Sequence, residues 1–336
     1  MRNNTRILYT ALLAQIASIN GVASASEKFN VDPSVQQKLE TRMQESSAFL
    51  QSVNVIGVTE QSGAKLGLGI GGPIASTTNT ANADRVTKDP SSISEQIYTC
   101  TQTNSDTHIP YAKLDAWAKF PDFQTRVRDA ILRRQALDRI LIGFNGTSRA
   151  ATSNPVANPL LQDVNKGWLQ HYRVQAPARV LATGSVTPGT IKVGAAGSDY
   201  KNLDALVMDA VASLIDPWHR NDTQLVAILG SDLMHDKYFP LVNSNNAPTE
   251  QLALDMVLSQ KRVGQRTALQ VPFVPSDSIL ITRLDNLSIY WQEGARRRTV
   301  VDNAKRDRIE NFESSNDAYV VEDFGAGCLI ENIHFV

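Results

Sequence analysis

The chain has 336 residues, 33 basic against 34 acidic, and 42% are hydrophobic. That length allows large cores in one to three domains. Balanced charge excludes a global basic field for nucleic acid, and no apolar run approaches the ~20 residues needed to cross a bilayer. Cys100 and Cys328 are too sparse for an oxidised scaffold and predict two buried, reduced thiols.

At the amino terminus, Arg2 and Arg6 flank and precede the apolar run Ile7 to Ala14, and Ala23-Ser24-Ala25 has the small residues of a signal cleavage site. A second reading is open. Ile7, Ala11, Ala14 and Ser18, with Leu8, Leu12 and Ile16, keep helical spacing, and Asn20-Gly21 supplies a stop. The segment is a secretion signal or a detachable amphipathic helix. Asp32-Pro33-Ser34 opens a predicted helix over 32–50 through Val35, Leu39, Met43 and Phe49-Leu50. Val53, Val55, Ile56 and Val58 predict a strand within 52–62. Residues 63–95 are rich in Gly, Ser, Thr, Asn and Asp, with Pro73 and Pro90. They are too long for an ordinary connection and predict a functional loop or partial disorder. Strand character returns over 93–111, with Ile97, Thr99, Thr101 and Thr103 on one alternation.

A long helix pattern follows, from Pro121 to Phe144, roughly 35 Å at 1.5 Å per residue. Pro121 suits a first turn and Asp122 the positive end of the dipole, while Asn145-Gly146 predicts a left-handed stop. Phe123, Val127, Ala130, Ile131, Leu137 and Leu141 form an apolar stripe, with Leu132 and Ile140 off it. Such a helix needs packing partners on more than one side. Arg126, Arg128, Arg133, Arg134 and Arg139 occupy the remaining surface.

Beyond it come a loop over 153–159, a helix over 163–175 with Trp168 and Tyr172, a turn-rich stretch over 182–199 and a helix over 203–215. A buried strand over 224–229 precedes helices over 232–241 and 250–263. Short strands then follow over 279–282, 287–291, 298–301, 319–322 and 329–335. Helices mid-chain and strands late favour α+β.

Catalytic chemistry finds little support. Gly67-Leu68-Gly69-Ile70-Gly71-Gly72 has the letters of a dinucleotide turn, yet Pro73 to Thr78 opens no amphipathic helix, so a glycine-rich hairpin is expected. His108, His171, His219, His235 and His334 lack metal-ligand spacing. Ser231 reads as a helix cap, and Asp216-Pro217-Trp218-His219 as a packed corner. Arg296-Arg297-Arg298 reads as an exposed hairpin turn, or as a contact for phosphate or a neighbouring subunit's carboxylates. No catalytic residue, metal site or cofactor site emerges.

The wording of the chain resembles the major capsid protein of P-two-type temperate tailed bacteriophages from about Thr5 onward. The resemblance is carried by ordered blocks: Met43-Gln44-Glu45-Ser46-Ser47, Ile74 to Thr78, Asp122-Phe123-Gln124, Gly143 to Gly146, Gly167 to Gln170 and Ala176 to Val180. Leu203 to Ala210, Lys237 to Pro240, Ser259 to Arg262, Asn286 to Tyr290 and Tyr319 to Asp323 continue it. It implies the Hong Kong-type (HK97-like) α+β capsid fold. The expected parts are an arm over 1–50, an extended-loop region over 51–115, a peripheral domain over 116–221 plus 296–336 with the spine helix over 121–144, and an axial domain over 222–295. It also implies a shell of hexamers and pentamers around double-stranded DNA, with an internal scaffold, a maturation protease and a portal protein as partners and no membrane. Assembly would occur in the bacterial host cytoplasm. The protease would trim the arm near Phe29-Asn30. Lys65, Gly67, Gly69 and Gly72 would lie in an intersubunit loop, and the five spine arginines would meet another subunit or the inner surface. The alternatives are a secreted binding protein or enzyme released at Ala25, and a nucleotide-dependent enzyme using Gly67 to Gly72.

Overall fold

The computed structural model describes residues 1–70, 75–87, 91–118, 120, 123–194, 196–242 and 261–336. Gly72, Pro73, Pro90, the predicted helix start at Pro121-Asp122 and residues 250–260 of the predicted helix over 250–263 lie outside them; its last two residues, Arg262 and Val263, are a strand paired with Arg266 and Thr267 and not helix. In chain order the elements are α1 (Asn3–Ile19), β1 (Phe29–Asn30), α2 (Pro33–Glu45), α3 (Ala48–Ser52) and β2 (Asn54–Val58). Next come β3 (Ser62–Ile70), β4 (Ser91–Thr99), β5 (Thr101–Asn104), β6 (Thr107–Pro110), α4 (Tyr111–Trp117), α5 (Phe123–Asn145) and α6 (Trp168–Gln175). The middle holds β7 (Val180–Leu181), β8 (Ile191–Val193), α7 (Leu203–Leu214), β9 (Val226–Leu229) and α8 (Ser231–Val242). The rest is β10 (Arg262–Val263), β11 (Arg266–Gln270), β12 (Ile279–Thr282), β13 (Leu287–Gln292), β14 (Arg297–Asn303), β15 (Arg308–Val321), β16 (Cys328–Ile330) and β17 (Ile333–Phe335).

The first sheet is built around β15. Along one edge it pairs with β13, from Leu287↔Val321 to Trp291↔Asp317, then with β14, from Arg297↔Ser314 to Asn303↔Arg308. Along the other it pairs with β5 and β6. Both flanking strands are therefore broken in two, and the chain bulges between Gln292 and Arg297. Strand β2 extends the sheet beyond β13, and β1 beyond β14. Sequence patterning reaches only the apolar end of β15, over 319–322. The stretch before it carries Glu310, Glu313, Ser314, Ser315, Asn316 and Asp317, which do not read as a strand because the partners of their buried face are charged.

The second sheet runs β10-β11-β9-β12-β16-β7. Strand β12 is buried on both faces. Leu280 joins Ile228 and Leu329 in a core shared with α5, α6 and the first sheet. Ile279 and Ile281 join Ala227, Leu229, Cys328 and Ile330 in a second core under α7. The second sheet thus separates the two cores. The domain ranges expected from sequence cut across this division: β13 belongs to the first sheet, whereas β7, α7 and β16 belong to the second sheet or its core. Met43, Phe49 and Leu50, inside the expected arm, are members of the shared core.

Aromatic packing ends the spine helix α5. Trp168 lies 5.3 Å from Phe144, 6.0 Å from Phe49 and 5.5 Å from Tyr319 between ring centroids. Its indole N–H donates to the Ser288 carbonyl at 3.0 Å, the partner a buried indole requires. A Cβ on Gly143 would sit 2.2 Å from the Trp168 ring, and one on Gly146 2.1 Å from the Asn165 carbonyl oxygen. Neither Asn145 nor Gly146 is left-handed. The glycines are required by close approach, not by the expected αL stop. Cys100 and Cys328 are free and buried, and burial pushes both thiols up to about 12.

Candidate functional site

Halfway along α5 the interface with the first sheet turns ionic. Glu40 on α2, Gln135 and Arg139 on α5, Arg296 in the β13–β14 bulge, and Glu313 and Asp317 on β15 are all buried. Arg139 binds both oxygens of Glu40 and reaches Asp317 Oδ1 at 3.0 Å. Arg296 donates to Glu40 Oε1 at 2.8 Å, to Glu313 Oε1 at 2.8 Å and to Gln135 Oε1 at 2.9 Å. The amide of Gln135 donates to Glu313 Oε2 at 3.1 Å.

Burial by itself raises a carboxyl pKa. At Glu40 the guanidinium groups of Arg139 and Arg296 outweigh it, and at Glu313 Arg296 and Arg298 do, so both stay below the ordinary range. At Asp317 burial, with the nearby Glu40 charge, outweighs Arg139 and the pKa rises. Such a cluster holds α2, α5, the β13–β14 bulge and β15 in one geometry, and removing one member leaves its partners buried with fewer opposite charges.

This changes the reading of α5. Its buried face is Leu132, Gln135, Ala136, Arg139 and Ile140. From the expected stripe, Ala130 is exposed and Val127, Ile131 and Leu137 are half-buried. Arg139 is therefore a core residue and not an inner-surface or intersubunit charge. Arg126 is exposed and lies over the Phe120 ring at 5.7 Å. Arg128 pairs with Asp129 at 2.8 Å and Arg134 with Asp138 at 2.6 Å, and Arg133 is exposed. The expected exposed turn at Arg296 to Arg298 is likewise corrected: Arg296 is 1% exposed. Sequence carried one signal for this, since Gln135 and Arg139 sit at helical spacing in line with Leu132, Ala136 and Ile140.

The amino-terminal arm is held in two different ways on either side of β1. The α1 segment is a helix packed on the fold, with Thr5, Tyr9 and Ala17 buried. Phe29 and Asn30 pair with Arg298 and Arg297, and Phe29 is 7% exposed. Immediately downstream, α2 is fixed over the β13–β14 bulge. Gln36 donates to the Gln292 carbonyl and accepts from the Gly294 N–H, both at 3.0 Å, and Glu40 enters the ionic cluster.

Strands β3 and β4 form a regular antiparallel ribbon from Ser62↔Thr99 to Ile70↔Ser91. Gly67 lies opposite Ser94 and Gly69 opposite Ser92, so these glycines sit in a strand and not in a nucleotide turn. Residues 75–87, beyond the ribbon, are exposed. Lys65 stands at the foot, where its ammonium donates to the carbonyls of Val321, at 2.7 Å, and Glu322. It also lies 3.4 Å from the Glu322 carboxylate. Burial lowers its pKa against the pull of Glu322. Lys65 is engaged by its own chain and is not presented to a neighbour. Tyr98 packs edge-on against Tyr290, 5.0 Å between centroids.

Of the histidines, His171 is held neutral by burial, with a pKa near 4, and His219 lies 3.2 Å from Asp323. Asp216 pairs with Arg179 at 2.8 Å, but Trp218 is 57% exposed, so that corner is only partly packed.

A family model described as phage major capsid protein, P2 family, matches residues 8–333. The chain is 50% identical over 341 residues to a capsid protein of Escherichia phage P2, covering 99% of this chain and 95% of that protein. It is 43% identical over 342 residues to the major capsid protein of Serratia phage KSP20, covering 100% and 98%. Among solved structures, a chain of the satellite phage P4 procapsid with its size determination (Sid) protein matches with a TM-score of 0.82 at 48% identity, over 100% of this chain and 99% of that one. A capsid chain of Cyanophage A-1(L) matches at 0.52 and 13% identity, over 91% and 94%, a likeness of fold alone. The architecture is accordingly the HK97-like α+β capsid fold. The chain belongs to the P2 family of phage major capsid proteins.

Proposed function

We propose that this chain assembles as hexamers and pentamers into an icosahedral shell enclosing phage double-stranded DNA. The observation that carries the reading is the full-length match, in sequence and fold, to a procapsid chain. Its work is mechanical: many modest interfaces sum through multivalency into a closed container. Contact with DNA in this reading is internal and non-specific, without a global basic field. In this reading the first sheet with α5 is the peripheral domain, the second sheet is the axial domain, and the β3–β4 ribbon with Gly67 and Gly69 reaches over a neighbouring subunit. Arg126, Arg128, Arg133 and Arg134 meet other subunits or the inner surface. An internal scaffold guides assembly in the host cytoplasm, a maturation protease trims the arm near Phe29-Asn30, and a portal protein completes the particle. The protein then resides in the virion as a structural component without catalysis or cofactor.

Electron microscopy of the chain co-expressed with its scaffold tests assembly. Shells or tubes are expected, and a persistent monomer would count against the proposal. The mass of the protein from purified virions tests trimming separately: finding intact Met1 to Val336 would refute it.

A further inference from the structure

The face of the first sheet near the start of α5 is covered by the chain's own amino terminus. Tyr9, Leu13 and Ile16 of α1 pack with Leu114 of α4, Val127 of α5, Val300 of β14 and Ile309 of β15. Four elements therefore form an apolar hollow, and α1 fills it. The polar ties are few. The Arg2 backbone N–H donates to Asp115 at 2.9 Å, Arg6 reaches Asp302 at 3.3 Å with its side chain 55% exposed, and the Val300 N–H donates to the Ala25 carbonyl at 3.0 Å. The side chain of buried Thr5 also hydrogen-bonds Asp115, and an exposed ion pair such as Arg6–Asp302 adds little. The connection from α1 to β1 is anchored at buried Ala25, which clusters with Leu13, Ile16 and Phe29, and is otherwise mostly open to solvent, with Ala23, Ser24, Ser26, Glu27 and Lys28 exposed. Past β1 the attachment changes in kind, to buried Gln36 and Glu40.

We infer that this hollow is a binding site for α1 as a separable ligand: helix Asn3–Ile19 stays docked on Leu114, Val127, Val300 and Ile309 after its connection is cut. Apolar contact does not need the covalent link. Cutting only replaces a high effective concentration by the free concentration of the fragment. The severed helix then leaves on dilution, and its departure uncovers α4 and Val127 together. The inference goes beyond the trimming reading, because it concerns a cut anywhere in the exposed connection, by any protease.

The test uses the full chain with a site-specific protease sequence inserted between Ser26 and Glu27. After nicking, size-exclusion chromatography at micromolar concentration is expected to show the fragment eluting with the body, and at nanomolar concentration separately. A fluorescent peptide of residues 1–26 should rebind the released body saturably, and a Tyr9→Asp peptide at least tenfold more weakly. Hydrogen exchange over 111–118 should accelerate only on release. Loss of the fragment at micromolar concentration with no saturable peptide binding would overturn the inference, as would equal binding of both peptides. The Tyr9→Asp change is carried on the peptide, so the result does not depend on a variant chain folding.

Discussion

Near its C-terminal end, α5 meets the rest of the fold through Ala136, Ile140 and Phe144, backed by Trp168 and Tyr319. On the same buried side, Gln135 and Arg139 meet Glu40, Arg296, Glu313 and Asp317. The apolar region gains from area and shape, without orientation, and fails by leaving cavities. The ionic region gains little net energy over an apolar substitute, yet it fixes the relative placement of α2, α5 and the bulge, because each charge has only one arrangement that satisfies it. One side secures the amount of stability; the other secures the geometry.

The sharpest way to break the ionic side is Arg296→Ala. It takes from Glu40 one of its two guanidinium partners and leaves Glu313 with only the Gln135 amide and the Arg298 charge, and should cost about 3–5 kcal/mol, as for a broken buried pair, read by urea unfolding of the unassembled chain. On the apolar side, Trp168→Ala should cost about 3–5 kcal/mol by the cavity rule, while Trp168→Phe should lose much less. If Arg296→Ala proved the milder change, the ionic cluster would not be the fixed frame described.

Acid separates the two regions further. His171 takes a proton near pH 6.5 when unfolded, but only near 4 when folded. Stability is therefore present above 6.5 and lost as pH falls through 4. Glu40 and Glu313, depressed from 4.5, extend that loss to lower pH, and the raised Asp317 offsets part of it. Melting temperatures across this range should fall for the wild type and for Trp168→Phe alike. In Glu40→Gln the slope at the lowest pH should flatten. An unchanged slope would remove the cluster from the acid response.

The smallest effect is expected at the surface. Arg134→Ala loses an i,i+4 pair with Asp138 and should change monomer stability by about 0.5 kcal/mol or less. A clear loss of particle yield with unchanged monomer stability would mark Arg134 as an assembly contact.

Sequence patterning revealed the long helix, the apolar helix that became α7, the ribbon in place of a nucleotide turn, and both buried thiols. The helices are legible because burial there is written in apolar periodicity, the ribbon because no amphipathic helix follows its glycines, and the thiols because two distant cysteines are too few for an oxidised scaffold. The first eleven residues of β15 and the inward turn of Arg296 are not legible that way. Their burial is met by opposite charge on each other, as Arg296 meets Glu313, and on α5 and α2, 178 and 256 residues away at Arg139–Asp317 and Arg296–Glu40, and a local window sees only polar letters. The same blindness put Arg139 on the surface and drew the apolar stripe of α5 through half-exposed Ile131 and Leu137.

The ribbon's foot has a mechanical consequence. Lys65 bridges the end of β15, and Tyr98 abuts Tyr290 of β13, so β3 and β4 leave the sheet from a clamped root. The five pairs beyond Lys65, from Leu66 to Ile70, at about 3.4 Å each make a cantilever of roughly 17 Å. A tilt of about 10° at such a root would carry the far end sideways by about 3 Å. The reach of the ribbon toward anything beyond its own chain is thus set by the stiffness of a lysine on two carbonyls and one edge-on pair of rings.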